Sequence, residues 1–304
     1  MQFDAGSLKD GIGAQVHRKI SVYVGASNLN CGFIEKPFVY FEPHPLQFEE
    51  SSEKQKLILN QINELFSCES SVIPSTKSIK YSKVNYQNGL LEILKFKLFA
   101  LFNNKITILC VHDLHSILDL YPNWYIKDYS WFNLLRSKLF LDSFKDSVCI
   151  HYRQSLGNMF IHPGQNLPRQ IDFDRVVQVL SSRVLELKKY NPEIFILTDA
   201  PIQDTVVSIP SFEKQGFFQT FGLTQNEILI PSFDFSTYLE PTGLKFEVID
   251  EKDPINLLKI LCSSSVIIGS KSSFSFVSSV INKNAKVFMP REFWHNSPKS
   301  WYKF

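Results

Sequence analysis

The chain has 304 residues, 44% of them hydrophobic and 20% charged, enough to bury one large core or two ordinary ones. A net charge of +2 offers no bulk attraction to nucleic acid, and the composition lies far from disordered or collagen-like chains. The scattered cysteines Cys31, Cys68, Cys110, Cys149 and Cys262 form no CxxC or Cys/His cluster, so neither a disulfide framework nor a structural metal is expected.

In chain order, Gly11 and Gly13 mark a turn that opens a helix over residues 16–27. Residues 38–41 predict a short strand, 53–65 a polar helix, 106–111 a buried strand and 131–141 a further helix. A strand over 146–151 runs into a polar turn, and 172–190 predicts one helix with acids in its first turn and lysines in its last. Then follow strands over 193–198 and 246–249, a helix over 254–262, a strand over 265–269, a helix over 274–281 and a strand over 286–289. Strands alternating with helices imply parallel sheets covered on both faces, and the pattern recurs on either side of about residue 140. The expected architecture is α/β, with two Rossmann-like domains facing a cleft, residues 1–140 and 141–304. The 27 phenylalanines read as core filling. The first ten residues lack the basic and apolar regions of a signal peptide, and apolar runs such as 96–102 are too short to span a bilayer. A cytoplasmic protein with no integral membrane segment is expected.

Ligands of such sheets bind where loops gather at the carboxyl ends of strands, which selects four segments. In the first, Gly269 ends a strand, and Ser270, Lys271, Ser272, Ser273 and Ser275 surround the start of an apolar helix. Exposed N–H groups and hydroxyls there suit a phosphate, although serines at a helix start also serve simply as caps. In the second, His151 and Arg153 share one face of a strand end, where a guanidinium can hold a diphosphate through two parallel bonds. A surface salt bridge and a packed histidine would give the same letters. In the third, Gly11 to Arg18 supplies Gln15, His17 and Arg18 along a helical first turn, without the third glycine of a dinucleotide fingerprint. The fourth, residues 198–203, closes a strand with Asp199, Ala200 and Pro201. His112 and His115 form an HxxH with no acid at helix spacing to complete a metal site, and Asp113 and Asp119 read as ordinary loop and helix-surface acids.

Taken in order, these segments resemble the GDP-fucose-dependent α-1,2/α-1,6-fucosyltransferases. Residues 11–18 look like that family's glycine-rich N-terminal loop, and His151-Tyr152-Arg153-Gln154 is similar to its His-x-Arg-Arg motif. His162 and Pro163 match a following His-Pro pair, residues 196–201 a strand ending in Thr-Asp, and residues 257–290 the last motif of the α-1,2 branch. The resemblance covers the C-terminal half and the first ~40 residues; it leaves 45–140 unmatched, where acceptor specificity is expected.

The resemblance implies a GT-B fold and an inverting, metal-independent glycosyltransferase with no cofactor. Its substrates would be a GDP-sugar, most simply GDP-fucose, and a glycan hydroxyl. It would place Arg153 on the diphosphate to stabilise the leaving nucleotide, His151 on the base or ribose, and Ser272, Ser273, Ser275 and the Phe274 amide on the phosphates. Gly11 and Gly13 would let the backbone approach the donor. Gln154 stands where the family has a second arginine, and its guanine-contacting aspartate has Asp250, Asp253 and Asn256 as neighbouring candidates, of which Asp253 is taken. The family's catalytic glutamate is not matched, since Asn158 and Met159 occupy that region, so His17 is taken as the base, with Asp10 and Glu35 next. Two alternatives stay open: another donor such as UDP-xylose or another UDP-sugar, and a non-catalytic nucleotide-sugar-binding module. A methyltransferase leaves the Arg153 and Ser272 segments unexplained.

Overall fold

A computed structural model describes residues 2–5, 11–28, 32–39, 52–68, 77–81, 106–110, 115–153, 172–201, 203–208, 227–230, 232–251, 253–293 and 295–304. The chain divides into two compact units, each an α/β arrangement on its own parallel sheet. The first gathers Met1–Glu42, Lys56–Lys138 and Trp294–Trp301, and the second Pro43–Gln55, Leu139–Phe293 and Tyr302–Phe304. Residues 294–301 therefore belong to the first unit, not to the domain that their position in the chain suggests.

The first unit contains β1 (Gln2–Ala5), α1 (Ile12–Asn28), β2 (Gly32–Ile34), α2 (Ser52–Leu65) from Lys56 onward, β3 (Lys77–Tyr81), β4 (Ile106–Cys110), α3 (His115–Leu120) and α4 (Ser130–Leu139) as far as Lys138. Its strands lie in the order β2-β1-β4-β3, all parallel, with Phe3 paired to both Phe33 and Ile108. Helix α1 is buried almost all round from Gln15 to Ala26, as a central helix is, whereas α2 buries only the stripe with Ile58 and Ile62. Gly13 lies inside α1, which begins at Ile12, so the expected turn contains Gly11 alone.

The strand expected at 38–41 is not formed at Phe38 or Val39, while Tyr40 and Phe41 lie outside the described residues. The strand sits earlier, at Gly32–Ile34. Phe38 is buried, but its backbone finds partners other than a ladder. Its N–H donates to Asn63 Oδ1 at 2.6 Å, and Asn63 Nδ2 donates to its carbonyl at 2.8 Å. An amide side chain on α2 thus satisfies the pair of groups that a neighbouring strand would otherwise take.

The second unit contains β5 (Val148–Tyr152), α5 (Phe173–Ser181), α6 (Val184–Tyr190), β6 (Ile194–Thr198), β7 (Thr205–Ser208), β8 (Glu227–Ile230), α7 (Ser236–Leu239), β9 (Phe246–Ile249), α8 (Pro254–Ser263), β10 (Val266–Ile268), α9 (Ser273–Ile281), β11 (Lys286–Met289) and β12 (Tyr302–Lys303). Six strands form one parallel sheet in the order β12-β11-β10-β5-β6-β9, and β7 and β8 pair antiparallel beside it in sequence. Alternate residues serve the two faces. Val148, Ile150, Tyr152, Ile194, Ile196 and Ile268 pack with Phe173, Val176 and Leu180 of α5, while Cys149, Leu197 and Ile267 pack with Ile260 and Leu261 of α8.

The single helix expected over 172–190 is two. Asp172 caps α5, its carboxylate accepting from Asp174 N. Ser182 Oγ then donates to Val179 O at 2.7 Å, Arg183 N bonds three residues back to Leu180 O, and Arg183 takes φ −124°, ψ 7°. Serine back-bonding and a tightened last turn end the helix before α6 restarts. Among the described residues, no helix is long and apolar enough to cross a membrane.

Candidate functional site

The register of β5 and β6 sets up the second unit's polar cluster. Tyr152 pairs with Thr198, so the next residues, Arg153 and Asp199, leave adjacent strand ends together. Tyr152 packs on the α5 face, so alternation puts His151, Arg153 and Asp199 on the other face, with Leu197 and α8. Thr198 Oγ1 accepts from Ala200 N at 2.9 Å, a side-chain turn that holds Asp199 at the bend. Arg153 Nε lies 3.7 Å from Asp199 Oδ2, and Nη1 donates to Ser272 Oγ at 3.4 Å.

On the other flank of β5 stands β10, whose Ile268 pairs with Ile150. Gly269 follows, and a Cβ there would lie 2.3 Å from Met289 Sδ, so glycine lets this strand end pass close to β11. The chain then turns through Ser270 and Lys271 into α9, which Ser272 caps by accepting from Phe274 N at 3.2 Å. Ser270 Oγ lies 3.0 Å from His151 Nδ1. Three neighbouring strands thus bring Arg153, His151, Asp199, Ser270 and Ser272 to one carboxyl edge of the sheet.

Within this cluster the expected phosphate ligands differ in what they face. Ser272 is nearly buried and serves both the cap and Arg153. Ser273 is partly exposed at the helix start, as a ligand-facing hydroxyl must be. Ser275 is fully buried, and its Oγ donates to the carbonyls of Ser270 and Ser272, so it ties the turn and does not face outward. The Phe274 amide is already taken by its cap, so it reaches an anion only if Ser272 releases it. Burial, reinforced by the Arg153 charge and opposed by Asp199, pushes the His151 imidazole down to about 4. The ring is therefore neutral at ordinary pH, and the positive charge in the cluster is that of Arg153 with Lys271 nearby in sequence.

Asp253, expected to contact the base, caps α8 by accepting from Ile255 N at 2.8 Å. Glu251 beside it accepts from Asp253 N at 2.8 Å and from Asn256 Nδ2 at 2.9 Å. One carboxylate oxygen of Asp253 is thus engaged by its own helix.

In the first unit, Gly11 is partly exposed, and a Cβ there would meet nothing within 4 Å, so close packing does not require a glycine. Gln15, His17 and Arg18 are 4%, 1% and 7% exposed, which places them inside the unit and not along an open first turn. His17 Nε2 lies 3.1 Å from Tyr125 Oη, which also meets Ser21 Oγ at 2.9 Å. Its ring meets that of His295 edge-on, with centroids 4.8 Å apart. Asp119, expected on a helix surface, is buried: Oδ1 accepts from Asn296 N at 2.9 Å, and Oδ2 lies 3.4 Å from His295 Nδ1. Glu35 pairs with the buried Lys19, whose ammonium also lies over the Phe38 ring. Asp10, His112, Asp113, Gln154, Asn158, Met159, His162 and Pro163 lie outside the described residues.

Sequence reasoning put Asp199 and Ser270 in candidate segments without individual roles, and it missed Tyr125 and His295. Asp199 and Ser270 carried a usable signal, since Asp199 follows directly on β6 and Ser270 comes one residue after Gly269, just beyond the end of β10. Tyr125 and His295 carried none, being brought to His17 by long-range packing.

No protein-family model and no curated protein matches the sequence. Among solved structures the chain is similar to POFUT1 in complex with GDP-fucose, at 11% identity over 100% of this chain and 96% of that one, with a TM-score of 0.40. It is similar to E. coli heptosyltransferase WaaC with ADP-2-deoxy-2-fluoro heptose, at 7% identity over 100% and 92%, with a TM-score of 0.39. It is also similar to a mutant of Arabidopsis thaliana FUT1 in complex with GDP, at 12% identity over 99% and 71%, with a TM-score of 0.41. At these scores the likeness carries no argument about the site, and its chemistry rests on the geometry above.

Proposed function

We propose that the chain is an inverting, metal-independent glycosyltransferase of GT-B type that moves a sugar from a nucleoside diphosphate to a glycan hydroxyl. The observation that carries this reading is the pairing of Arg153 with Ser272 at the start of α9. A fixed cation stands beside a helix N-terminus of nine residues, the combination that suits a diphosphate. Departure of a nucleoside diphosphate builds negative charge on the β-phosphate, and preorganised donors at that place lower the barrier. Arg153 is the stabiliser of the leaving group, with Lys271 and Ser273 flanking its partner Ser272 in sequence, and the two cations supply the neutralisation that a divalent cation would otherwise give. His151 faces the base or ribose. His17 is the candidate base, and its burial sets a condition: the acceptor hydroxyl must reach the ring where Tyr125 now does.

Fucose and guanine come from the motif resemblance. The engagement of Asp253 with its own helix favours a second reading at the base, a UDP-sugar in the same phosphate site. Thermal-shift measurements with GDP, UDP, CMP and S-adenosylmethionine, followed by a panel of nucleotide sugars assayed with and without EDTA, test the proposal. Stabilisation by a nucleoside diphosphate and EDTA-resistant turnover of one donor are expected. Activity abolished by EDTA and restored by manganese would overturn metal independence, and binding without any turnover would leave a silent binding module.

A further inference from the structure

Ser270 is 0% exposed, and its Oγ lies 3.0 Å from His151 Nδ1. Its position is fixed from both sides of the turn, because its carbonyl accepts from Ser272 N at 2.8 Å and from Ser275 Oγ at 3.2 Å. Among the described residues the hydroxyl has no partner besides that ring nitrogen. A neutral imidazole carries one hydrogen on either of two nitrogens, and a hydroxyl has one hydrogen to give.

Two arrangements satisfy the 3.0 Å contact. If Nδ1 bears the ring hydrogen and donates, the hydroxyl hydrogen is left inside the protein with no acceptor, and an unmade buried bond costs more than the made one returns. If the hydroxyl donates, both groups are satisfied and the ring hydrogen sits on Nε2. We infer that Ser270 is a positioning residue that donates to His151 Nδ1 and holds the ring in the Nε2–H tautomer, so that His151 offers a hydrogen-bond donor to the ligand. The ligand atom it meets is then a hydrogen-bond acceptor of the nucleotide: a base carbonyl or bare ring nitrogen, a ribose oxygen or a phosphate oxygen.

The low proton affinity of the half-buried ring agrees with this assignment, because a ring that stays neutral has a tautomer to fix. Packing of the ring against Phe274, with centroids 5.8 Å apart, keeps the same edge toward Ser270. The ligand half of the inference rests on the nucleotide site proposed above; the tautomer half does not.

Nitrogen-15 NMR of the histidine side chains, with the His151 signals assigned by their loss in His151→Gln, tests both halves. The wild type is expected to show Nε2 protonated and Nδ1 bare across neutral pH. Ser270→Ala, which only removes an atom, is expected to show a mixture of tautomers and to bind GDP or UDP about 3- to 10-fold more weakly, the scale of one lost hydrogen bond. Ser270→Thr, which keeps the hydroxyl, is expected to restore both. A wild-type ring with its hydrogen on Nδ1, or an unchanged tautomer in Ser270→Ala, overturns the assignment. If neither GDP nor UDP binds the wild type, the nucleotide-site reading fails, while the NMR result still decides what Ser270 does.

Discussion

Arg153 and Asp199 emerge side by side from adjacent parallel strands, Nε 3.7 Å from Oδ2, and the opposite edge of the guanidinium reaches Ser272. The carboxylate faces the Nε edge of the arginine across 3.7 Å, a charge contact longer than a hydrogen bond, and leaves the rest of the guanidinium to turn toward an anion. Arg153 is 30% exposed and Asp199 14%, so the pair contributes little to stability and its value lies in orientation. Arg153→Ala is expected to cost about 2–4 kcal/mol of transition-state stabilisation in kcat/KM, the scale for a preorganised charge donor. Asp199→Asn should cost less, because it loosens the arginine without removing it. Transfer assays beside thermal unfolding check this. A near wild-type rate in folded Arg153→Ala would remove the arginine from the reaction.

His151 gives the protein a pH signature. Its folded value of about 4 lies below the ordinary 6.5 of the unfolded chain, so between those values the unfolded state binds a proton that the folded state refuses. Stability from this group is therefore level above pH 6.5 and falls as pH drops toward 4, by up to about 1.4 kcal/mol per pH unit. Carboxylates titrate in the lower part of the same window, so the informative quantity is a difference between proteins. Denaturant unfolding of wild type and His151→Gln at pH 5 and pH 7.5 should show a smaller loss in the variant. Equal losses would contradict a half-buried histidine held neutral in the folded protein.

Much of the second unit is legible in the sequence because its strands are apolar runs bounded by turns. Ile194–Thr198, Phe246–Ile249 and Lys286–Met289 announce themselves in this way. The first unit is less legible. Gln2–Ala5 and Lys77–Tyr81 are short and partly polar, and neither composition nor period separates them from loop. The run at 38–41 carries a strand's composition, yet Asn63 of α2 takes the backbone groups of Phe38, a pairing 25 residues away that no local pattern records. The candidate site divides along the same line. His151 lies in the last two residues of β5, Arg153 follows that strand, and Ser272 caps the helix after β10, so all three can be found by rule, whereas burial decided the fates of Ser275 and Asp119.

Asp119 fastens residues 295 and 296 to α3 within the first unit. Its Oδ1 accepts from Asn296 N, its carbonyl accepts from Asn296 Nδ2 at 2.8 Å, and Oδ2 faces His295. Asn123 Oδ1 adds a bond from Lys299 N at 3.0 Å. Asp119→Ala leaves the Asn296 N–H without its acceptor and is expected to destabilise the protein by about 1–3 kcal/mol. Lys299, by contrast, enters this fastening only through its backbone, so Lys299→Ala should be close to neutral. Urea unfolding of the two variants measures both, and equal stability in Asp119→Ala and wild type would show that the buried carboxylate fastens nothing.

His17 is the most exposed of the proposals, because the residue itself is only 1% exposed and already meets Tyr125. An inverting transfer needs a group to take the acceptor proton as the new bond forms, and a neutral imidazole within hydrogen-bond reach can do so. If His17 has that task, His17→Ala and His17→Gln should both lower kcat at saturating donor by about 10²–10⁴-fold and lose the acidic limb of the pH–rate profile. Tyr125→Phe should keep that limb, since it removes only the hydroxyl that occupies Nε2 in the absence of acceptor. A packing role predicts another pattern: lower unfolding midpoints in both His17 variants, with kcat of the folded protein within a few-fold of wild type. Measuring stability and the pH–rate profile on the same preparations separates the two, and an unmoved acidic limb in folded His17→Gln would take the base away from this residue.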